Sequence, residues 1–523
     1  MVDHAARNYR DNTALVEATG AVLSFAELRD AAREVTRAAL AWGIGPGDPV
    51  AIWAPNSARW VVTALGLLSA GAVLVPLSTR YRAGEAAYIL GRSRCRALFT
   101  VRGFLGNDYP LMLAESGVPL PDLEHTVLLA GEATPSTLDL RAFLELASHI
   151  SIGTATTTGA RIDPDSVSDI LFTSGTTGLP KGVMATHAQT LQVYTRWSAV
   201  TTLHRADRYL LINPFSHTFG YKAGILASVL RGVTMVPVPL FDSDQVLHRI
   251  EKERISVLLG PPTIFAGLLD HPKRTAHDLR SLRLTGTGGT AVPAELIHRI
   301  RTDLGVSGVF TAYGLTESTG VVSVCPPDAD TDIVAGTAGP ALPGTEIRVV
   351  GADGTPVPPG QHGEILTRGR NVMRGYLDDP VATRAAIDAD GWLHTGDIGT
   401  LNAQGYLRVT DRLKDMFIVG GFNAYPAEIE RVLSGHPGIR EVAVVGVPDP
   451  RLGEVGVAYV VREPHAGDDA AAIIAWARQR MAGYKVPRRA VFVNSLPRNA
   501  SGKVLKRELR RWAARPRPAS SRR

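Results

Sequence analysis

At 523 residues the chain exceeds what one hydrophobic core usually supports, and 45% hydrophobic with 20% charged residues is a soluble composition, so two or more soluble globular domains are expected. The 56 basic and 50 acidic residues leave a net charge of +6, too mild for this length to point to a nucleic-acid partner. The two cysteines, Cys95 and Cys325, form no C-x-x-C pair, which argues against a disulfide framework or a structural zinc site and fits a reducing compartment.

The N-terminus, Met1-Val2-Asp3-His4, lacks the basic-then-apolar pattern of a signal segment, so a cytoplasmic protein is expected. Ser24 precedes an amphipathic stretch and predicts a helix from Phe25 to Trp42. An apolar run, Val50-Ala51-Ile52-Trp53, reads as a strand. Between Arg59 and Arg80 no charge occurs, a length that could span a bilayer. Gly66, Gly71 and Pro76 interrupt it, so a buried helix from Ser57 to Ala70 and a strand at Val73–Leu77 are expected instead, with no membrane insertion. Further strands are predicted at 234–238 and 257–260, with a helix at 244–254 between them. This alternation argues for α/β layers of mostly parallel strands.

After Gly344 the pattern changes to short strands separated by turn signals such as Ala352-Asp353-Gly354 and Gln404-Gly405, which suggests a smaller β-rich subdomain. A boundary is expected at Asp411-Arg412-Leu413-Lys414-Asp415. Residues 1–412 would then form a large α/β domain of several subdomains. Residues 413–510 would form a small α+β domain with a helix at 426–433, strands at 441–447 and 455–461, and a helix at 470–481. Residues 511–523, rich in arginine, proline and serine, read as a disordered basic tail.

The densest chemistry lies behind Ile170-Leu171-Phe172, in Thr173-Ser174-Gly175-Thr176-Thr177-Gly178-Leu179-Pro180-Lys181-Gly182. Glycines let backbone amides approach an anion, hydroxyls donate to phosphate oxygens, and lysine adds a point charge. The stretch fails the G-x-x-x-x-G-K-[ST] pattern, because Pro180 replaces the second glycine and Gly182 the metal-binding hydroxyl. A nucleotide loop of another kind is indicated, although a plain surface loop would share this composition.

Other segments are individually weak. Tyr313-Gly314-Leu315-Thr316-Glu317 groups a ring, a hydroxyl and a carboxylate suited to a base, a phosphate and a magnesium ion. Asp397, in Thr395-Gly396-Asp397, is placed to grip vicinal ribose hydroxyls or merely to bond its own backbone. Arg412 fits a ribose, a phosphate or a surface ion pair. Lys503, in Ser501-Gly502-Lys503, is by itself a solvated lysine on a turn.

Together these motifs, in this order from about Ala14 to Leu509, resemble the acyl-adenylate-forming superfamily of AMP-dependent synthetases and ligases. Two segments, 213–224 and 260–265, are most similar to actinobacterial acyl-CoA ligases of the group acting on steroid-ring-fragment propanoates. The resemblance implies that Thr173, Ser174, Gly175, Thr176, Thr177, Gly178 and Lys181 hold phosphates and that Tyr313 flanks adenine. It further implies that Thr316 contacts phosphate, Glu317 binds Mg2+, and Asp397 and Arg412 hold the ribose. Lys503 would bridge the substrate carboxylate and the α-phosphate. Lys414 would be the hinge, about which the small domain turns to present Gly421 to the phosphopantetheine thiol. Fixed positive charge aimed at developing negative charge is the expected catalytic term.

The acyl pocket is implied at Ser216, Tyr221, Gly288, Gly289, Thr290 and Gly314. Many relatives carry Phe-His where this chain has Ser216-His217. His217 would lie beside the adenylate and the thiol channel, although its own context equally suits a core histidine. This small, hydroxyl-rich lining suits a cyclic, aryl or otherwise bulky acid. The implied activity is an ATP-dependent acyl- or aryl-CoA ligase that uses ATP, Mg2+ and coenzyme A. A carrier-protein pantetheine or a non-thiol acceptor is the alternative, and a homodimer is a further candidate assembly.

Overall fold

The computed structural model describes residues 1–17, 20–173, 180–288, 292–413, 415–419, 422–464, 467, 469–481, 483–499 and 502–514. Ser24 starts the helix Phe25–Ala41 with a full capping box: its side chain accepts from the Glu27 amide while Glu27 reaches back to the Ser24 amide. The Ser57 side chain caps the helix Ala58–Ala70 by accepting from the Trp60 amide, and Gly71 ends it at φ 86°. This uncharged segment is a core helix that packs on Phe25–Ala41. Gly66 makes the close approach possible, since a Cβ there would lie 2.5 Å from Val35 Cβ and 2.6 Å from the Ala32 carbonyl oxygen. Among the described residues no helix is long and apolar enough to cross a membrane.

Contacts divide the chain into two compact units. The first comprises 1–347 and 367–393. It holds two large sheets, one ordered Gly375–Tyr376, Lys181–Thr186, Val167–Thr173, Val73–Pro76, Pro49–Trp53, Ala97–Phe104, His125–Ala130 and Leu138–Asp139. The other is ordered Ser323–Val324, Gly308–Tyr313, Leu284–Gly288, Val257–Gly260, Arg208–Leu211, Thr234–Pro237, Thr13–Val16 and Val22–Ser24. Neighbouring central strands of both are parallel. Their near-continuous apolar sequence follows from burial on both faces. The expected strands at 234–238 and 257–260 fall at Thr234–Pro237 and Val257–Gly260, and the helix at 244–254 at Ser243–Glu253.

The second unit comprises 348–366 and 394–523. Most of a sheet ordered Thr345–Val350, Gly363–Gly369, Leu393–Leu401 and Leu407–Arg412 falls in it, which is the expected β-rich part. Its other sheet is built on the long antiparallel pair Ile439–Asp449 and Gly453–Arg462. Period-two alternation there feeds two cores. Val444, Ala458 and Val460 pack with Ile429, Leu433 and Ile473, while Val445, Val457 and Tyr459 pack with Leu509. The boundary read at 412/413 lies inside this unit. The last helix, Lys506–Ala514, extends into the stretch read as a tail, because Leu509, Trp512 and Ala513 join the second core.

Replacing Gly66 by alanine overpacks the helix crossing, so the thermal midpoint should drop, by on the order of 1–3 kcal/mol of stability. An unchanged midpoint in thermal unfolding would contradict the close packing.

Candidate active site

In the first unit, the strand Val167–Thr173 and the strand Lys181–Thr186 run antiparallel, with Thr173 opposite Lys181 and Phe172 opposite Gly182. The hairpin thus holds both ends of the expected phosphate loop at one place. Ser174, Gly175, Thr176, Thr177 and Gly178 lie outside the described residues. Gly182 has no room for the hydroxyl of a G-K-[ST] motif: a Cβ would lie 2.8 Å from Ile170 Cγ2 and 3.1 Å from Phe172 Cζ. The carbonyl of Pro180 accepts a hydrogen bond from the Tyr88 hydroxyl at 3.2 Å, which anchors the loop at its second end.

Tyr376, which the sequence reading did not single out, is central to this site. Its strand pairs with Lys181–Thr186, with Val183 opposite Tyr376. Lys181 Nζ sits 4.9 Å from the centroid of its ring, a cation–π contact, and its hydroxyl donates to Glu317 Oε1 at 3.0 Å. Burial, and then the Glu317 charge, raise the Tyr376 phenol well above its ordinary value, so it stays protonated and donates. Lys181, over the ring, and Glu317, at its hydroxyl, are therefore both held by Tyr376. The only clue in sequence was the Gly375-Tyr376 pair, which has no distinctive spacing from either partner.

Glu317 and Thr316 sit on a short 3-10 turn after the strand Gly308–Tyr313, and both are half-buried. The next residues hold the turn in an unusual backbone. Thr319 adopts φ 55°, and its hydroxyl donates to the Asn371 carbonyl at 2.8 Å. Gly314 packs against the backbone of Gly320 so closely that a Cβ there would collide with it. Tyr313 is half-buried at the strand end, as a residue flanking a ring would be. Among the described residues no group of three or more His, Cys, Asp or Glu could hold a metal ion. One carboxylate on this turn fits Mg2+, which takes few protein ligands and fills its shell with water and substrate phosphates.

His217 begins a helical turn, and the Phe219 amide donates to its Nδ1 at 3.2 Å. Desolvation lowers the His217 imidazole below its ordinary value, although part of the residue remains exposed. An Nδ1 that accepts an N–H is unprotonated, which agrees with this direction. Ser216 is half-buried beside it. Tyr221 is a core side chain, 1% exposed and packed on Trp60 at 6.0 Å between ring centroids. Gly288 ends the strand Leu284–Gly288, and Gly289 and Thr290 lie outside the described residues. On that strand, Thr285 and Thr287 share one face, and the hydroxyls of both are buried with no hydrogen-bond partner among the described residues.

In the second unit, Asp397 is directly opposite Arg412 across the antiparallel pair Leu393–Leu401 and Leu407–Arg412. Gly396, within the strand, takes φ 67° just before the buried Asp397, and its amide donates to Glu364 Oε1 at 3.1 Å. Lys503 stands on a tight turn in which its amide donates to Asn499 Oδ1 at 2.8 Å and Gly502 takes φ 82°. Arg498 braces this turn from outside through the Gly502 carbonyl at 2.7 Å and Glu441 at 2.6 Å. Lys414 and Gly421 lie outside the described residues.

Residues 2–377 match the AMP-binding enzyme family, and residues 428–503 match the AMP-binding enzyme C-terminal domain. The chain belongs to the AMP-binding enzyme family. Two relatives, from Rhodococcus jostii (strain RHA1) and Mycobacterium tuberculosis (strain ATCC 25618 / H37Rv), are each 48% identical to this AMP-binding enzyme. They cover 97% of it, and 96% and 97% of their own lengths. Both are 3-[(3aS,4S,7aS)-7a-methyl-1,5-dioxo-octahydro-1H-inden-4-yl]propanoyl:CoA ligases. ATP-bound MatB from Rhodopseudomonas palustris is 30% identical over 98% of both chains, with a TM-score of 0.85.

Tyr376→Phe keeps the ring beside Lys181 and removes the donor to Glu317, so ATP-dependent turnover should fall roughly tenfold or more, the usual worth of a hydrogen bond to a charged group. Tyr376→Leu, which also loses the cation–π contact, should fall further in the same steady-state assay. Full turnover by the Phe variant would remove Tyr376 from the site.

Proposed function

We propose that this AMP-binding enzyme joins a carboxylic acid to coenzyme A in two half-reactions. The carboxylate first attacks the α-phosphorus of ATP, giving an acyl adenylate and pyrophosphate. The thiol of coenzyme A then attacks the acyl carbon and AMP leaves. The observation that carries this reading is the gathering of Lys181, Tyr376 and Glu317 at the mouth of the Thr173/Lys181 hairpin, which suits a triphosphate rather than a single phosphate.

In this account the loop from Thr173 to Lys181 holds the β- and γ-phosphates, and Thr316 contacts the α-phosphate. Mg2+, held by Glu317, would neutralise the phosphate charge that develops as the leaving pyrophosphate departs. Tyr313 lies along the adenine, and Asp397 and Arg412 take the ribose hydroxyls. Lys503 brings the carboxylate to the α-phosphate and stabilises the charge on its oxygens during attack. His217, kept neutral, borders the acid and the thiol's approach. The small C-terminal part turns about Lys414 between the half-reactions, withdrawing Lys503 and presenting Gly421.

The acid we propose is a carboxylate on a bulky cyclic skeleton that carries polar substituents. The relatives' bicyclic dioxo substrate supports this class, and so do the buried hydroxyls of Thr285 and Thr287, which no described residue meets.

Pyrophosphate exchange across a panel of carboxylic acids, followed by coenzyme A addition, tests the reading. Cyclic acids should drive exchange and then yield a thioester and AMP. Lys503→Ala should cut exchange by about a hundredfold or more while leaving thioester formation from preformed acyl adenylate within a few-fold. Release of ADP, or an equal loss in both half-reactions, would defeat it.

A further inference from the structure

A buried ion pair lies between the phosphate-loop strand and the segment that carries His217. Lys222 Nζ is 2.8 Å from Asp169 Oδ1, with the side chains 1% and 0% exposed. Asp169 is on the strand Val167–Thr173, four residues before the loop begins, and its other oxygen accepts from the Ser168 hydroxyl at 2.7 Å. Lys222 is on the π-helical stretch Tyr221–Leu226, immediately after the turn that His217 caps. A π turn closes its backbone hydrogen bond over five residues in place of four, and such turns recur at functional sites. Gly220 lets this stretch fold back onto the Asn213 and Pro214 carbonyls, where a Cβ would collide.

The ammonium also donates to Thr190 Oγ1 at 3.2 Å, on the helix His187–Val200. One turn further along the same face, the Tyr194 hydroxyl donates to the Thr319 carbonyl at 3.1 Å. Thr319 follows Glu317 by two residues, and Gly320 beside it would bring a Cβ to 2.6 Å from the Tyr194 hydroxyl and 2.9 Å from Thr218 Cβ. Lys222 therefore meets, directly or through one helix face, the phosphate-loop strand, the His217 turn and the Glu317 turn.

We propose that Lys222 is a positioning residue for adenylation, holding these three segments in a common register through its ion pair with Asp169. The inference rests on the adenylation reading above. The physical basis is that a buried ion pair is a poor source of stability but a directional one. Its desolvation cost offsets its attraction, so a neutral pair of similar shape is often as stable, whereas one charge left alone is strongly destabilising. Stability and positioning can thus be separated by substitution.

The experiment compares Lys222→Met, Asp169→Asn, the double variant and Thr190→Val. It reads the thermal midpoint, the KM for acid and kcat in pyrophosphate exchange, and thioester formation from preformed acyl adenylate. Each single variant at the pair should lose both midpoint and exchange. The double variant should regain most of the midpoint, while its exchange kcat/KM stays about tenfold or more below wild type and its thioester step within about threefold. Thr190→Val, without a charge change, leaves one buried N–H of Lys222 unmet, so it should lower the midpoint less than either single variant at the pair and raise the KM for acid by about threefold. This variant decides the matter if the double variant does not fold. Recovery of exchange together with the midpoint, equal loss in both half-reactions, or wild-type KM in Thr190→Val would overturn the proposal. Absence of exchange from the wild-type protein on every acid would remove the adenylation reading and this inference with it.

Discussion

A loop that binds phosphate through backbone amides works only if its two ends are held at a fixed separation and orientation. Here that constraint is met by a two-stranded register. Thr173 and Lys181 face each other across an antiparallel pair, and Gly182 lies where Ile170 and Phe172 leave no room for a Cβ. A larger residue at 182 would lever the second strand away and carry Lys181 with it. The same strand pairs on its other side with Gly375–Tyr376, so the hairpin also sets the ring to which Lys181 and Glu317 are joined. Lys181 and Glu317, the groups proposed for phosphate and Mg2+, are in this way referred to one piece of sheet.

The Glu317 turn has a matching requirement. Its backbone passes through a left-handed threonine and a pair of glycines in near contact, a conformation that persists only where neighbours over-determine it. Tyr194, Thr218 and Asn371 supply those neighbours. Asp397 and Lys503, in the second unit, each follow a glycine in the left-handed region, and the amide of each donates to a side chain that precedes that glycine. The recurring device is a rigid sheet or turn that offers one side chain.

Local features were legible in the sequence because their causes are local. Ser24 and Ser57 act on amides three residues away, and the apolar runs that became parallel strands need no distant information. The failure of the loop as a Walker motif was visible as well, but its reason was not: the space denied at Gly182 belongs to a strand partner. Tyr376 and Glu317 are 59 residues apart, and Asp169 and Lys222 are paired only after the sheet forms, so neither contact has a sequence spacing to betray it. In sequence Lys222 is a single charged residue between Tyr221 and Ala223-Gly224-Ile225-Leu226. The unit boundary was hidden for a topological reason: 348–366 belongs with 394–523, and the chain returns to the first unit in between.

The proposed chemistry turns on attack by the acid's carboxylate oxygen on the α-phosphorus of ATP. Turnover with an acid labelled with 18O in its carboxylate, analysed by mass spectrometry of the nucleotide, tests it most directly. AMP carrying one acid-derived 18O per turnover, with unlabelled pyrophosphate, is the expected result. ADP as the product, or label appearing in phosphate or pyrophosphate, would contradict it.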